Sequence, residues 1–173
     1  MISPSNIALK GNVSKASLIG VYLSVNYNDL WKTNRRKKTK LHTNFNTDVF
    51  ILKMFPGINE ATLEHIFSRE GLKGVVLETY GSGNAPTDKW FINLLKKHIE
   101  RGLVIINVTQ CIAGSVMMGQ YETSTQLKKI GVISGKDITT EAAVAKLMYL
   151  LGKDLSPKVF KTIFETSLRG EML

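Results

Sequence analysis

From Asp48 onward the sequence repeats one unit: a short β-branched apolar run, a glycine-containing turn and an amphipathic helix. Parallel strands need a crossover about this long, so the alternation predicts βαβ units and a parallel sheet of about four strands with helices on both faces, an α/β fold. The first strand is Val49–Phe55, stopped by Pro56-Gly57. Asn59 then offers an N-cap, and Leu63, Ile66 and Phe67 share a helical face. The second strand, Gly74–Thr79, leads through Tyr80-Gly81-Ser82-Gly83-Asn84-Ala85-Pro86 into a helix with an apolar stripe at Trp90/Phe91, Leu94/Leu95 and His98/Ile99, closed by Gly102. The third, Leu103–Val108, is apolar without a break, as a strand covered on both faces should be.

Beyond Cys111 the period fades. Gly114–Tyr121 reads as a loop, Glu122 as a solvated loop carboxylate, Thr123–Lys129 as a short helix and Gly131-Val132-Ile133 as a short fourth strand. Ile138–Leu151 is a strong helix with Thr139 as N-cap. It is apolar nearly all round, which puts it either within the domain or at a subunit contact. Ser156-Pro157 opens the last helix.

Residues 1–47 differ in character and read as a remnant or linker preceding an α/β domain over 48–173. Residues 1–48 carry eight Lys or Arg against Asp29 and Asp48, which is most of the net charge of +9. Val21–Tyr27 alternates as a strand does, and the basic run Arg35–Lys40 separates it from Leu41–Phe45, so a basic hairpin or linker is expected. Residues 1–20 show no strong period. The run is basic enough to attract phosphate, but only Trp31 lies near as a stacking group. A solvated tip or linker is therefore preferred to a nucleic-acid contact.

At 43% hydrophobic and 21% charged residues the chain can bury a core, and its 173 residues fit one ordinary domain. No window approaches the ~18 apolar residues of a membrane span, and the first residues lack the apolar block of a signal peptide. A cytoplasmic protein with no membrane contact is expected. One cysteine beside the scattered His42, His65 and His98 makes no metal pattern, so neither a metal nor a cofactor is expected.

Two stretches sit at the carboxyl ends of predicted strands, where α/β sheets bind ligands. Tyr80, Gly81, Ser82, Gly83 and Asn84 form a turn in which two glycines permit close backbone approach, while Ser82 and Asn84 offer a hydroxyl and an amide. Thr109, Gln110 and Cys111 end the third strand. Cys111 lacks a local histidine base, which favours a buried structural thiol. His98 reads as a core or boundary histidine, and Met117 and Met118 as packing residues.

The blocks GVVLETYGSGNAPTDKWF and INVTQCIAGSVMMGQYETSTQLKKIGVISGKDITTEAAVAKLMYLL resemble the C-terminal domain of cytoplasmic type I L-asparaginases, as do ILKMFPGI and the closing SLRGEM. The similarity covers Asp48–Met172 and extends back to about Gly20. It implies a homo-oligomeric two-domain enzyme that hydrolyses L-asparagine to L-aspartate and ammonia, using a threonine nucleophile in an N-terminal T-G-G-T block. That block does not occur in this sequence, and Thr47-Asp48 lacks the family's T-D-T surroundings. The chain thus reads as a C-terminal domain without its catalytic half, contributing no catalytic residue and inactive alone.

The resemblance ranks Asn84 first, in a loop placed near a neighbouring subunit's active site. It also offers Thr109, Gln110 and Cys111 as an asparagine effector site. Regulated members can carry arginine where this chain has Glu78, and a carboxylate there would repel the effector's own carboxylate. Two other readings stand beside this one. The first is the ammonia-releasing subunit of a tRNA-dependent amidotransferase, against which the Gly-Asn-Ala-Pro turn counts. The second is a non-catalytic module binding an amino acid or RNA.

Overall fold

The computed structural model describes residues 16–19, 22–25, 40–119 and 122–173. Two antiparallel strands, β1 (Ala16–Ile19) and β2 (Tyr22–Val25), pair with Ile19 opposite Tyr22. The hairpin partner of the Val21–Tyr27 run is therefore upstream, in a strand whose four residues are too few to show a period. Leu41–Phe45, beyond the basic run, forms no strand. Trp31 and Arg35–Thr39 lie outside the described residues, and Lys40 is exposed.

The main sheet is parallel, with β3 (Val49–Lys53), β4 (Gly74–Thr79), β5 (Val104–Thr109) and β6 (Ile133–Ser134) side by side in chain order. Crossovers between parallel strands share one hand, so chain-order neighbours put all their connecting helices on one face. The packing follows: α1 (Glu60–Phe67), α2 (Lys89–Glu100) and α3 (Glu122–Lys129) bury Leu63, Phe67, Phe91, Leu94, Leu95 and Leu127 with Val75, Leu77 and Ile105. The other face packs Val76, Ile106 and Val108 against α4 (Thr140–Leu151) and α5 (Pro157–Phe164), through Leu147, Leu150, Phe160 and Phe164. Successive residues of β4 alternate between the two cores, which explains why its whole run is apolar. Gly74 allows α4 to approach, since a Cβ there would lie 2.9 Å from side-chain carbons of Leu147 and Leu151.

Local signals set most helix ends. Asn59 accepts from the Thr62 amide at 3.0 Å and Thr139 from Ala142 at 3.2 Å. Ser156 stands at the N-cap of α5 without a side-chain cap bond, and Pro157 carries that start. Glu122 is the first residue of α3 and not a loop residue. The fourth strand begins two residues later than expected. Gly131 has φ +100° and ends α3, its amide bonded to Lys128 O while Val132 N reaches Leu127 O. His98 is buried, edge-on to Phe67, with Nε2 3.4 Å from Glu64 Oε2.

The nearly all-apolar helix α4 is covered within the chain over most of its surface, with Ala145 left exposed. Its inner face lies on the sheet, and the segment 42–46 runs along its outer side. His42 and Phe45 pack against the Tyr149 ring at 5.4 and 6.0 Å, and Asn46 N donates to Met148 O at 3.0 Å. Beyond α5 the chain hooks back over α4. Buried Lys146 donates from Nζ to Thr166 O and Glu171 Oε1, both at 2.6 Å, and lies 5.2 Å from the Phe164 ring centroid. Glu171 also accepts from the amides of Leu168 and Arg169, so the SLRGEM segment wraps around its own carboxylate. Burial pushes Glu171 up, but Lys146 and the backbone amides outweigh it and hold the carboxyl at about 2. Burial lowers Lys146, and Glu171 opposes that. No helix among the described residues is long and apolar enough to cross a membrane.

Candidate functional site

β4 and β5 run in register to Thr79 opposite Thr109, so the turn Tyr80–Asn84 and the segment Gln110–Gly114 leave the sheet side by side at its carboxyl edge. The turn is tight. Tyr80 N donates to Asn84 O and Asn84 N to Tyr80 O, both at 2.8 Å, and Gly83 N to Tyr80 O at 3.0 Å. Gly81 and Gly83 have φ +50° and +102°, and a Cβ on Gly83 would meet Val116 Cγ1 at 2.7 Å. Only glycine meets both demands at residue 83.

Neighbouring segments hold the turn. Asn107, fully buried, accepts from Thr79 Oγ1 at 2.6 Å and donates from Nδ2 to Gly83 O at 3.1 Å. Thr109 donates its hydroxyl to Gly81 O and accepts from Cys111 N at 3.0 Å. Met117 N reaches Ser82 O at 3.0 Å, and Met118 packs on the core with Sδ 3.5 Å from Asn107 Nδ2. The carbonyls of Gly81, Ser82 and Gly83 are thus each held from outside the turn. Tyr80 remains exposed, while Ser82 and Asn84 are half-buried.

The second predicted group divides. Gln110 spends its side-chain amide on two carbonyls, Met54 O at 2.8 Å and Glu78 O at 2.9 Å, clamping the ends of β3 and β4. Thr109 is buried and committed to the turn. Cys111 is exposed, not the buried structural thiol expected, because the chain leaves the sheet before reaching it. Glu78 accepts from Thr140 Oγ1 and lies 3.7 Å from Lys53 Nζ. Its carboxylate already has a donor and a cation, and it presents negative charge at the end of β4.

Asn107 is the residue that sequence reasoning passed over. The signal was an amide inside the apolar run Leu103–Val108, since a polar side chain in a strand buried on both faces must find partners. Among the described residues every buried side-chain polar atom does have one. No group of three metal-ligating side chains occurs among the described residues. His42 lies against Tyr149 and His65 is exposed.

A four-stranded parallel sheet with helices on both faces, whose carboxyl edge carries a glycine turn braced from the next strand, defines an α/β domain. Residues 48–164 match the model of the glutaminase/asparaginase C-terminal domain, and the chain belongs to that family. It is 40% identical over 162 residues to a human 60 kDa lysophospholipase, covering 93% of this chain and 28% of that protein. It is 39% identical over 122 residues to Escherichia coli L-asparaginase 1, covering 70% and 36%. A glutamyl-tRNA(Gln) amidotransferase component from Sulfurisphaera tokodaii matches at 33% over 138 residues, covering 80% and 30%. L-asparaginase I from Vibrio cholerae superposes with TM-score 0.79 at 34% identity, over 95% of this chain and 49% of that one. The chain thus spans about a third of the length of these curated relatives.

Proposed function

We propose that the chain serves as the C-terminal part of an asparaginase-type amidohydrolase and is inactive by itself toward L-asparagine. In the assembled enzyme it supports a homo-oligomer and sets the Tyr80–Asn84 turn beside an active site whose nucleophile another domain supplies. The observation that carries this reading is the turn itself. Asn107 and Thr109 use their buried polar groups to fix its backbone, so its geometry is set from β5. A braced loop at a sheet's carboxyl edge is suited to positioning a polar side chain against a substrate. Thr109 and Gln110 serve the scaffold in this reading. Glu78, paired with Lys53 and Thr140 at the end of β4, offers no cation to an amino-acid effector's carboxylate, which disfavours asparagine regulation through this site.

The Gly-Asn-Ala-Pro turn favours asparagine chemistry over the amidotransferase role. Ammonia release from L-asparagine by the purified chain is expected to stay at the no-protein blank, and turnover would sink the reading by placing a nucleophile within these residues. Fused behind the amino-terminal part of Escherichia coli L-asparaginase 1, the chain is expected to hydrolyse L-asparagine in preference to L-glutamine. Asn84→Ala should lower that rate by about tenfold or more. An unchanged rate would remove Asn84 from the site.

A further inference from the structure

At the opposite end of the sheet from the turn, about 20 Å along the strands, the fold leaves a groove of about 500 Å³. Its origin is the shortness of β6. Because Gly131 breaks the chain direction, β6 pairs with β5 only at Ile106–Ile133 and Asn107–Ser134, and among the described residues Val104 and Ile105 have no strand neighbour on that side. Ile99, Leu103, Ile133, Leu151, Leu155 and Phe160 are among the residues that wall the opening. Among the described residues no carboxylate, amide or hydroxyl side chain lines it, and its only charged groups are Lys153, Lys158 and Lys161.

The three lysines do not act alike. Lys153 Nζ sits 4.4 Å over the Tyr149 ring, so its alkyl stem forms wall while its charge points elsewhere. Lys158 and Lys161 lie three apart on α5, on one face of the helix, and among the described residues neither makes an ion pair. The groove therefore combines walls whose side chains are apolar, which favours an alkyl body, with a positive rim, which disfavours a cationic head. Its volume falls in the range of small-ligand sites, roughly 300–1,000 Å³.

We infer that this groove binds a small anionic amphiphile, with an alkyl chain along the floor and a carboxylate or phosphate head between Lys158 and Lys161. The inference is independent of the chemistry at the other end of the sheet. It is tested on the full chain by calorimetric titration with decanoate, decyl phosphate and decyltrimethylammonium below their micelle concentrations. Methyl NMR of Ile99, Leu103, Ile133 and Leu155 locates the binding. One or both anions are expected to bind and shift these methyls, and which head binds tells a fatty acid from a phosphate ester. The cation should not bind. Lys158→Glu with Lys161→Glu, the first exposed and the second half-buried on α5, should weaken binding about tenfold or more, and higher salt should weaken it too. Equal binding of the cation, no binding by either anion, shifts confined to other methyls, or an unaffected double variant would each overturn the inference.

Discussion

Two buried polar clusters stabilise this domain by different means. At the carboxyl edge, Thr79, Asn107 and Thr109 are neutral: Thr79 bonds to Asn107 and to Val108 O of β5, while Asn107 and Thr109 bond to backbone carbonyls of the turn. Behind α4, Lys146 and Glu171 are ionised and draw in the returning chain from Thr166 to Met172. A neutral network keeps its shape at any moderate pH and suits a loop that must hold a constant geometry. A buried ion pair carries a desolvation cost that only full pairing offsets, so it is strong when intact and costly when half-removed.

The largest effect should come from breaking the charged cluster. Glu171→Gln is expected to destabilise by about 3–5 kcal/mol in chemical denaturation, because it strands the buried Lys146 ammonium. Replacing both residues, Lys146→Met with Glu171→Leu, should cost much less than the sum of the singles, and an additive result would deny the coupling. Acid is the second probe. Glu171 sits at about 2 in the folded chain against an ordinary value of 4.5. Its contribution is therefore complete above pH 4.5 and is lost as pH falls from there toward 2, a drop of roughly 3 kcal/mol at most. If the clusters are independent, the protection of the Gly83 and Asn84 amides from exchange, relative to an unstructured chain at the same pH, should stay constant until global unfolding.

The neutral cluster should give a smaller loss. Asn107→Leu is expected to cost about 2 kcal/mol, by taking partners from the Thr79 hydroxyl and the Gly83 carbonyl. It should also speed exchange at Gly83 and Asn84 well beyond the global change, and protection unchanged there would show that the turn holds itself. The smallest effect is expected at the side chain of the residue that closes the turn against Tyr80. Asn84→Ala keeps the backbone bonds to Tyr80 and should cost less than Asn107→Leu, about 1 kcal/mol or less; a larger loss would recast Asn84 as part of the scaffold.

How much of the fold is legible in the sequence differs by element. Strands β3 to β5 and helices α1, α2 and α4 follow from apolar spacing and caps, because each signal lies within one turn or one pleat of the residue it controls. The Tyr80–Asn84 turn is legible for the same reason, since two glycines and two small polar residues stand together. β6 starts later than its apolar run because Gly131 takes a positive φ, and β1, Ala-Ser-Leu-Ile, lacks the apolar-polar alternation that marks Val21–Tyr27. Asn107 looks like a blemish in an apolar strand until its partners across β4 are known.

The sequence by itself determined the parallel α/β architecture, the family and the turn at the carboxyl edge, since these are written in short-range pattern and in contiguous blocks. Only the tertiary structure decided what the polar residues do. Thr79 meets Asn107 from 28 residues away, Gln110 reaches back 56 to Met54, and Lys146 finds Glu171 25 residues on. A buried polar group must be satisfied, but the need names no partner, and the choice falls to whichever groups the folded sheet brings within hydrogen-bond reach.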